Sequence, residues 1–381
     1  MPNPNAVVST VARIDQPVDR PIDEMARSDR GFSFELSDGH RLRLDPASPN
    51  AAGYARLLSE LHRLKLPVYL EFDPGPSTVT RLLIPRVGRV IAVTAIDDRG
   101  FAVELEPSHA RHVLPLAAPD FVEMEKQLRD AVESGKPVIV TADDRNVILH
   151  VRAFVPGPDG PLPPLPLPRP KAPLWPLRPW WIRWLRRLWY WPCWPWWWCW
   201  WWCRGCLSPT RAQQVFDALA ATTCDPLTVP APCIPFKYPD DGCWARAHEM
   251  YRLMLNMGIT ARKVWIDAST RLHTPTRNHP NCFVEWGWHV APTVLVCTSF
   301  CSRTRMVIDP SLFTTPVTEA SWKAVQGDPG ATLTDTGGTQ FWHSGGTDPT
   351  YADTNYYLNV YRLQLQNRAL SIGPPPYAGC P

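Results

Sequence analysis

The sequence predicts an α+β protein. An N-terminal α+β domain is followed by a linker rich in proline and tryptophan. The C-terminal domain is expected to pack a helix on an antiparallel sheet. Three observations support this prediction. Short segments alternate apolar and polar residues, which is typical of half-buried strands. Segments with helical spacing lie between them. Residues 156–206 consist largely of proline and tryptophan and separate the two halves.

Four parts are expected along the chain, with boundaries at changes of composition. They are a polar leader at 1–30, an α+β domain at 31–155, the linker at 156–206 and a second domain at 207–381. The leader contains several prolines and few apolar residues, so we expect it to be loosely ordered.

The predicted N-terminal domain has clear strand and helix signals but no catalytic constellation. Ser48 followed by Pro49 marks a helix start, and Asp120 caps a second helix that ends near Gly135. Its five histidines are scattered, and each is expected on the surface or satisfied within the core: His40, His62, His109, His112 and His150.

Charge and composition narrow the classes of partner. The formal net charge is +3, which gives no argument for binding nucleic acid.

The N-terminus shows no basic and apolar signal segment, so no cleaved secretory signal is visible and the location is left open. All 11 cysteines lie at or after Cys193, which suggests that the C-terminal half works in an oxidising place or derives from secreted relatives. Free thiols in the cytosol remain an alternative.

The linker has two parts with different chemistry. Residues 156–179 are dominated by proline and predict a semi-rigid polyproline II spacer, or alternatively a ligand for a proline-binding protein. Residues 180–206 combine tryptophan with arginine, which favours contact with a membrane interface. As a helix, Trp189–Trp202 would span only about 21 Å, too short to cross a bilayer. Lipidation, disulfides or metal binding remain open for the cysteines of this segment, Cys193, Cys199, Cys203 and Cys206.

The stretch Cys233–Met250 contains the strongest chemical signal. Pro235 and Pro239 exclude a helix in its first half, and Asp240-Asp241-Gly242 is typical of a turn. A helix with apolar spacing is predicted from Cys243 onward. The N–H groups at a helix start stabilise a thiolate and can also face an oxyanion, so Cys243 is a candidate nucleophile.

Two later strands supply the partners of such a nucleophile. Glu285–Val296 is predicted to carry His289, and Arg305–Phe313 is predicted to deliver Asp309. The order Cys, His, Asp is that of the transglutaminase-like branch of papain-type folds. We expect His289 to hold the thiolate as an ion pair. His248 is expected to be structural, since it lies off the helical face of Cys243.

The motifs around these three residues resemble bacterial protein glutaminase, a family that deamidates glutamine side chains within proteins. The resemblance rests on CIPFxYPDDGCxARAHxM, WxxHVA and IDPSLF, and it extends over residues 207–370. It implies catalysis by Cys243, His289 and Asp309 through a thioester, with protein substrates and no metal or organic cofactor. The N-terminal domain could bind a partner, dock the chain or cover the active site, and the resemblance favours the last because family relatives are made with an inhibitory pro-region.

Three functions are carried forward from the sequence. The first is protein-glutamine deamidation. The second is a transglutaminase or cysteine protease of the same fold, which shares the chemistry up to the acyl-enzyme. The third is a membrane-associated binding protein with an inactive enzyme domain. The bulky Trp244 and Trp288 beside the predicted nucleophile and base are expected to shape the acyl pocket or its rim.

The remaining expectations for the C-terminal half concern its elements and its cysteines. A helix is expected over 212–221, a short helix near 316–322 and a loop over 327–350. Tyr356–Leu363 is predicted as the strand that closes the sheet. Cys224 can bridge Cys233 across a proline-rich loop, with Cys282, Cys297 and Cys301 as other candidates.

Overall fold

The computed structural model describes residues 4–15, 31–166, 205–229, 231–299 and 302–380. It is a mixed α+β structure, which confirms the predicted class. The Trp-rich segment and most of the proline-rich one lie outside the described residues, and so do the expectations placed on them. Among the helices that the structure describes, none has the length and apolar character needed to cross a membrane.

The described residues form fifteen strands and six helices, numbered in chain order. The strands of the N-terminal half are β1 (Ala6–Asp15), β2 (Ser33–Leu36), β3 (Arg41–Arg43), β4 (Pro67–Asp73), β5 (Thr78–Leu83), β6 (Arg86–Asp97), β7 (Gly100–Glu106), β8 (Arg111–Pro115), β9 (Pro137–Ala142) and β10 (Ile148–Ala153). Those of the C-terminal half are β11 (Arg262–Pro275), β12 (Phe283–Ser299), β13 (Ser302–Val307), β14 (Val317–Thr318) and β15 (Thr332–Gly337). The helices are α1 (Ala51–Leu64), α2 (Phe121–Ser134), α3 (Pro209–Ala220), α4 (Cys243–Asn256), α5 (Glu319–Val325) and α6 (Ala352–Ile372).

The N-terminal half contains a small barrel and a separate sheet. Strands β1, β2, β3, β5 and β4 close the barrel in that order, and α1 packs its apolar face into the same core. The second sheet has the order β10-β9-β6-β7-β8 and is covered by α2. Long β6 and β7 form the hairpin predicted around Asp97–Gly100. The short segment that joins β7 to β8 points toward the C-terminal half and is described with the site below.

The C-terminal half is built on a wholly antiparallel sheet. Its order is β14-β13-β12-β11-β15, with β12 paired to β11 on one side and to β13 on the other. Helix α4 packs against β12, as expected for the helix that begins at Cys243. Ser208 caps α3 by accepting a hydrogen bond from the Arg211 N–H, with Pro209 in the first turn.

The last helix, α6, corrects the strand predicted at Tyr356–Leu363. Most residues in that window are apolar or aromatic, because more than one face of the helix is buried. Tyr356, Val360 and Leu363 pack on the barrel core. Tyr357, Tyr361 and Leu365 pack instead around Cys243. A helix that is apolar on both sides is typical of a buried position between two layers, and this one joins the two halves.

Three further expectations need correction. The leader is not uniformly loose, because residues 6–15 form β1 and pair with β2 and β4. The expected loop 327–350 contains β15, which forms an edge of the C-terminal sheet. The strand predicted to reach Asp309 ends at Val307, so Asp309 lies in the turn that follows β13. The local composition did not show where these strands begin and end, because pairing with segments far along the chain decides where a strand forms.

Three disulfides lie in the C-terminal half, and one of them is the predicted bridge across the proline-rich loop. The pairs are Cys224–Cys233, Cys206–Cys297 and Cys282–Cys380. Within the described residues Cys243 is the free cysteine.

Candidate active site

The start of α4 presents Cys243 on a sharply turned backbone. Gly242 precedes it with φ +80°, a left-handed conformation, and a Cβ there would collide with the ring of Tyr361. The Asp241 carboxylate accepts the Gly242 N–H at 2.9 Å and so fixes the turn. The geometry therefore requires glycine at position 242, because no other residue fits between the turn and the helix.

His289 and Asp309 come together at the middle of the C-terminal sheet. His289 lies on β12 opposite Ile266 of β11, and its Nε2 is 2.9 Å from the Oδ2 of Asp309. Trp322 Nε1 donates to the same oxygen at 2.9 Å, and the Ser311 hydroxyl donates to Oδ1. Burial would raise the pKa of Asp309, but these three hydrogen bonds lower it below its usual value. The carboxylate therefore stays ionised and orients the imidazole.

The thiol of Cys243 lies next to that imidazole. Its Sγ and a ring nitrogen of His289 are within 4.8 Å of each other. The second ring nitrogen of His289, Nδ1, is buried and lacks a hydrogen-bond partner in the part of the chain that the structure describes. Burial raises the pKa of the Cys243 thiol well above its usual value. Burial also lowers the pKa of His289, although the hydrogen bond to Asp309 partly offsets this. Both shifts favour the neutral thiol and the neutral imidazole over the ion pair expected from the sequence.

Aromatic rings enclose the pair and keep water away from it. Trp286 stacks on the His289 ring at 4.4 Å between centroids, and Trp322 lies on it at 5.5 Å. Cys243 itself is only 1 % exposed. A dry site of this kind strengthens every charge interaction that forms within it.

His109, from the N-terminal half, completes the surroundings of the thiol, and no sequence pattern pointed to it. One of its ring nitrogens lies within 4.8 Å of both Cys243 Sγ and a nitrogen of His289. Its Nδ1 is 3.1 Å from the carbonyl oxygen of Trp288, and its Nε2 accepts the Cys243 N–H at 3.5 Å. Burial lowers the pKa of His109 well below 6.5, and the nearby His289 lowers it further. His109 is buried with a partner at both ring nitrogens, which agrees with the satisfied core position expected as one alternative, but its place beside Cys243 was not predicted.

A short backbone pairing holds His109 in the site. The segment between β7 and β8 runs along the start of β12, where Ala110 forms an antiparallel bridge with Trp286. The Gly287 N–H donates to the carbonyl oxygen of His109 at 3.1 Å. The Ser108 hydroxyl donates to the Asp241 carboxylate at 2.6 Å. The N-terminal half therefore contacts both the turn before Cys243 and the strand that carries His289.

Two adjacent aspartates anchor charged groups from both halves. Asp241 lies 3.4 Å from the guanidinium Nε of Arg86 on β6. Asp240 accepts two hydrogen bonds from Arg368 on α6, at 2.6 and 2.9 Å. Burial would raise the pKa of Asp240, but Arg368 and His279 hold it well below its usual value. Sequence reasoning assigned these aspartates to the loop before the nucleophile but missed their cationic partners.

A cleft of about 580 Å³ opens beside the enclosed pair. Trp244 and Trp288 line it, as expected, together with His109 and His343. Cys243 is not among the residues that line the cleft, whereas His109 is. At the rim, His343 Nε2 is 2.6 Å from Asp267 Oδ1, and its ring stacks on Trp288 at 4.7 Å.

His248 lies apart from this arrangement. Its Nδ1 is 2.8 Å from the buried Lys263 Nζ, and its Nε2 is 3.2 Å from the carbonyl oxygen of Asp348. These contacts agree with the structural role expected for it.

Residues 212–326 match a family model that is described as glutaminase. This segment holds all three motif blocks and the predicted nucleophile, base and carboxylate. A search of curated proteins returned no match. The match confirms the family predicted from the motifs, although it is confined to the C-terminal half.

Solved structures of similar proteins include a pro-protein-glutaminase, 19% identical, with a TM-score of 0.47, covering 78% of this chain and 99% of that chain. The A47Q2 mutant of pro-protein-glutaminase is 20% identical, with a TM-score of 0.47, and covers 73% of this chain and 92% of the other. The solution structure of protein-glutaminase from Chryseobacterium proteolyticum is 28% identical, with a TM-score of 0.38, covering 46% of this chain and 97% of that one.

The family match falls on the helix that begins at Cys243 and on the strands around His289 and Asp309. Residues 212–326 therefore match the glutaminase family that the motifs predicted.

Proposed function

We propose that the chain hydrolyses glutamine side-chain amides in proteins through Cys243, His289 and Asp309, and that the structure represents a covered, latent form. The observation that carries the proposal is the thiol at the start of α4, within 4.8 Å of an imidazole that Asp309 orients. A nucleophile, a base and a group that orients the base are the minimum for this chemistry.

The reaction begins when the Cys243 proton moves to His289 and the sulfur attacks the carboxamide carbon of a glutamine side chain. The negative charge that develops on the amide oxygen is stabilised by the Cys243 N–H at the helix start. The imidazolium then gives its proton to the departing nitrogen, which leaves as ammonia, and a thioester remains on Cys243. Asp309 stabilises the imidazolium in this step.

The second half of the reaction consumes water. His289 takes a proton from a water molecule as its oxygen attacks the thioester carbon. The C–S bond breaks, the sulfur regains a proton from the imidazolium, and the side chain leaves as glutamate. The chain begins and ends the cycle in the same protonation state. The net change is one amide plus one water converted to one carboxylic acid plus one ammonia.

Latency is supported by the position of His109. Its Nε2 accepts the same Cys243 N–H that the developing oxyanion requires, and His109, unlike Cys243, lines the cleft. A glutamine side chain cannot enter while this imidazole is in place. The neutral thiol agrees with a resting form, because the thiolate is the nucleophile. Catalysis thus requires that the segment around His109 be withdrawn.

The test compares the intact chain with a chain cut at a specific protease site placed within residues 167–204. In a parallel set, both chains also carry Arg86→Ala. This substitution weakens the attachment of an N-terminal half that stays bound after cutting. We expect ammonia release from a casein-type protein only after cutting or weakening, and none with Cys243→Ala. A cut and weakened chain with an alkylatable Cys243 but no ammonia release would contradict the proposal.

The same assay separates the alternatives. Incorporation of a primary-amine probe in preference to hydrolysis would identify a transglutaminase, and new peptide termini would identify a protease. Either outcome would replace deamidation as the proposed reaction, while the thioester on Cys243 would remain the shared intermediate.

A further inference from the structure

Three side chains with lone pairs converge where the two halves meet. They are His109 from the N-terminal half and Cys243 and His289 from the C-terminal half. We propose that these residues bind one divalent transition-metal ion, with Zn²⁺ as the best match, and that the ion joins the N-terminal half to the catalytic thiol.

The distances are close to those that a metal requires. One ligand atom from each residue lies within 4.8 Å of the other two. In a tetrahedral zinc site, bonds of about 2.0–2.3 Å place neighbouring ligand atoms about 3.3–3.7 Å apart. A contraction of at most about 1.1–1.5 Å per pair therefore brings the three donors to these spacings. The rings of His109 and His289 already stack, with centroids 5.8 Å apart, so small tilts of both are enough.

The nitrogens that a metal needs are unpartnered in His289, among the described residues, and engaged by one long contact in His109. His289 Nε2 is bonded to the Asp309 carboxylate, and its Nδ1 is buried without a hydrogen-bond partner among the described residues. His109 Nδ1 donates to the carbonyl oxygen of Trp288, which leaves a lone pair on Nε2. Metal-binding histidines typically use one nitrogen for the ion and the other for a carboxylate or carbonyl. Both histidines already have this arrangement.

The donor set selects the kind of ion. Two imidazole nitrogens and one sulfur suit Zn²⁺ and exclude Ca²⁺ and Mg²⁺, which prefer oxygen. Binding releases the Cys243 proton to solvent, so that one thiolate and two neutral imidazoles hold the ion. The long contact from the Cys243 N–H to His109 Nε2, at 3.5 Å, is given up. Asp241 Oδ1 lies 3.7 Å from His109 Nε2 and helps to balance the positive charge.

The functional consequence rests on the proposed function. A bound ion would occupy both the nucleophile and the base and would tie them to His109. Removing the ion would then be one condition for exposing the site. Binding itself does not depend on Cys243 being catalytic, so the two proposals can fail separately.

The experiment is a Co²⁺ titration of the intact, chelator-treated chain, followed by competition with Zn²⁺. We expect one Co²⁺ per chain, a thiolate-to-cobalt charge-transfer band in the near ultraviolet, release of one proton, and displacement by Zn²⁺. Cys243→Ser should abolish the band. His109→Ala should weaken binding at least 100-fold, and His109→Asn, which keeps a polar side chain in the cover, should do the same if the alanine variant misfolds.

Two controls isolate the site. His40→Ala changes an exposed histidine of the same half and should leave the titration unchanged. Serine replacement of Cys193, Cys199, Cys203 and Cys301, which lie outside the described residues, should also leave the band unchanged. A band that survives Cys243→Ser, or an affinity that survives both His109 variants, would overturn the metal site.

Failure of this proposal differs visibly from failure of the proposed function. Ammonia release by the cut chain, with no cobalt band in the intact chain, refutes the metal site alone. A cobalt band that depends on Cys243 and His109, with no ammonia release under any condition, refutes the deamidase alone.

Discussion

The two halves of the molecule are stabilised in different ways. Residues 205–380 contain all three disulfides that the structure describes. The same half of the molecule carries Cys243. Residues 1–192 contain no cysteine at all. The N-terminal half is attached to the site instead by a buried ion pair from Arg86, a hydrogen bond from Ser108 and a backbone bridge at Ala110. All of these contacts are reversible.

In the proposed latent form, this difference lets one chain combine a durable site with a removable cover. Covalent bridges limit unfolding of the C-terminal half even when its surroundings change. The contacts around Arg86 and Ser108 can open without breaking any bond of the site. We derive four predictions from the contrast between the halves. They are ordered by expected size, from the catalytic site to the pH dependence of stability.

The largest effect is expected within the site. Asp309→Asn should lower the rate of ammonia release by the cut chain about 10³–10⁴-fold, because the imidazolium loses its stabilising charge and the correct tautomer. Asp267→Asn is the matched control, since Asp267 also contacts a histidine, His343, but at the cleft rim. An equal loss of activity in both variants, measured by steady-state kinetics, would contradict the role assigned to Asp309.

The next effect concerns the cover. Arg86→Ala removes one partner of a buried ion pair and should cost roughly 3–5 kcal/mol of closed-form stability, because Asp241 is left uncompensated. Hydrogen exchange of residues 104–111 should then increase. Arg81→Ala is the control, since its pair with Glu71 is partly exposed and is worth at most about 1 kcal/mol. Equal exchange in both variants would argue against attachment through Asp241.

A smaller effect is expected from the disulfides. Replacing Cys224 and Cys233 together by alanine should lower the stability of the C-terminal half by roughly 2–4 kcal/mol, because the unfolded chain regains freedom. Reductant can also break the other two bridges, so it should destabilise the wild type at least as much and should leave exchange within the barrel strands unchanged. A barrel that loses protection together with the C-terminal half would show that the halves unfold as one unit.

The last effect is a dependence of stability on pH, which is the smallest when counted per histidine and per pH unit. Burial lowers the pKa of His109 and His112 well below 6.5, so both are neutral when folded. The unfolded chain takes up protons below pH 6.5 and the folded one does not. Stability therefore falls as the pH drops below 6.5, by about 1.4 kcal/mol per pH unit for each histidine. His109→Gln should reduce this slope, and the exposed His40→Gln should not. Denaturant titrations between pH 5 and 7 would measure it.

The sequence was sufficient for the features that depend on local chemistry. The turn before Cys243, the helix that follows it and the strand that carries His289 all result from proline, glycine and periodicity within a few residues. The bridge from Cys224 to Cys233 was also accessible, because it closes a short loop.

Features that depend on contacts between distant segments could not be predicted. His109 looked like any other histidine, because its position is set by the neighbouring bridge from Ala110 to Trp286, far along the chain. Helix α6 looked like a strand, because burial on two faces removed the usual helical stripe. The partners of Asp240 and Asp241 come from α6 and β6, which no local pattern connects to the turn.

The shared helix α6 has a consequence for any enzyme that loses its N-terminal half. Tyr356, Val360 and Leu363 would then lose the packing that the barrel core provides. A C-terminal half separated in this way would expose an apolar ridge, prone to self-association or open to capture by another molecule. Its solubility would therefore depend on the same helix that packs around Cys243.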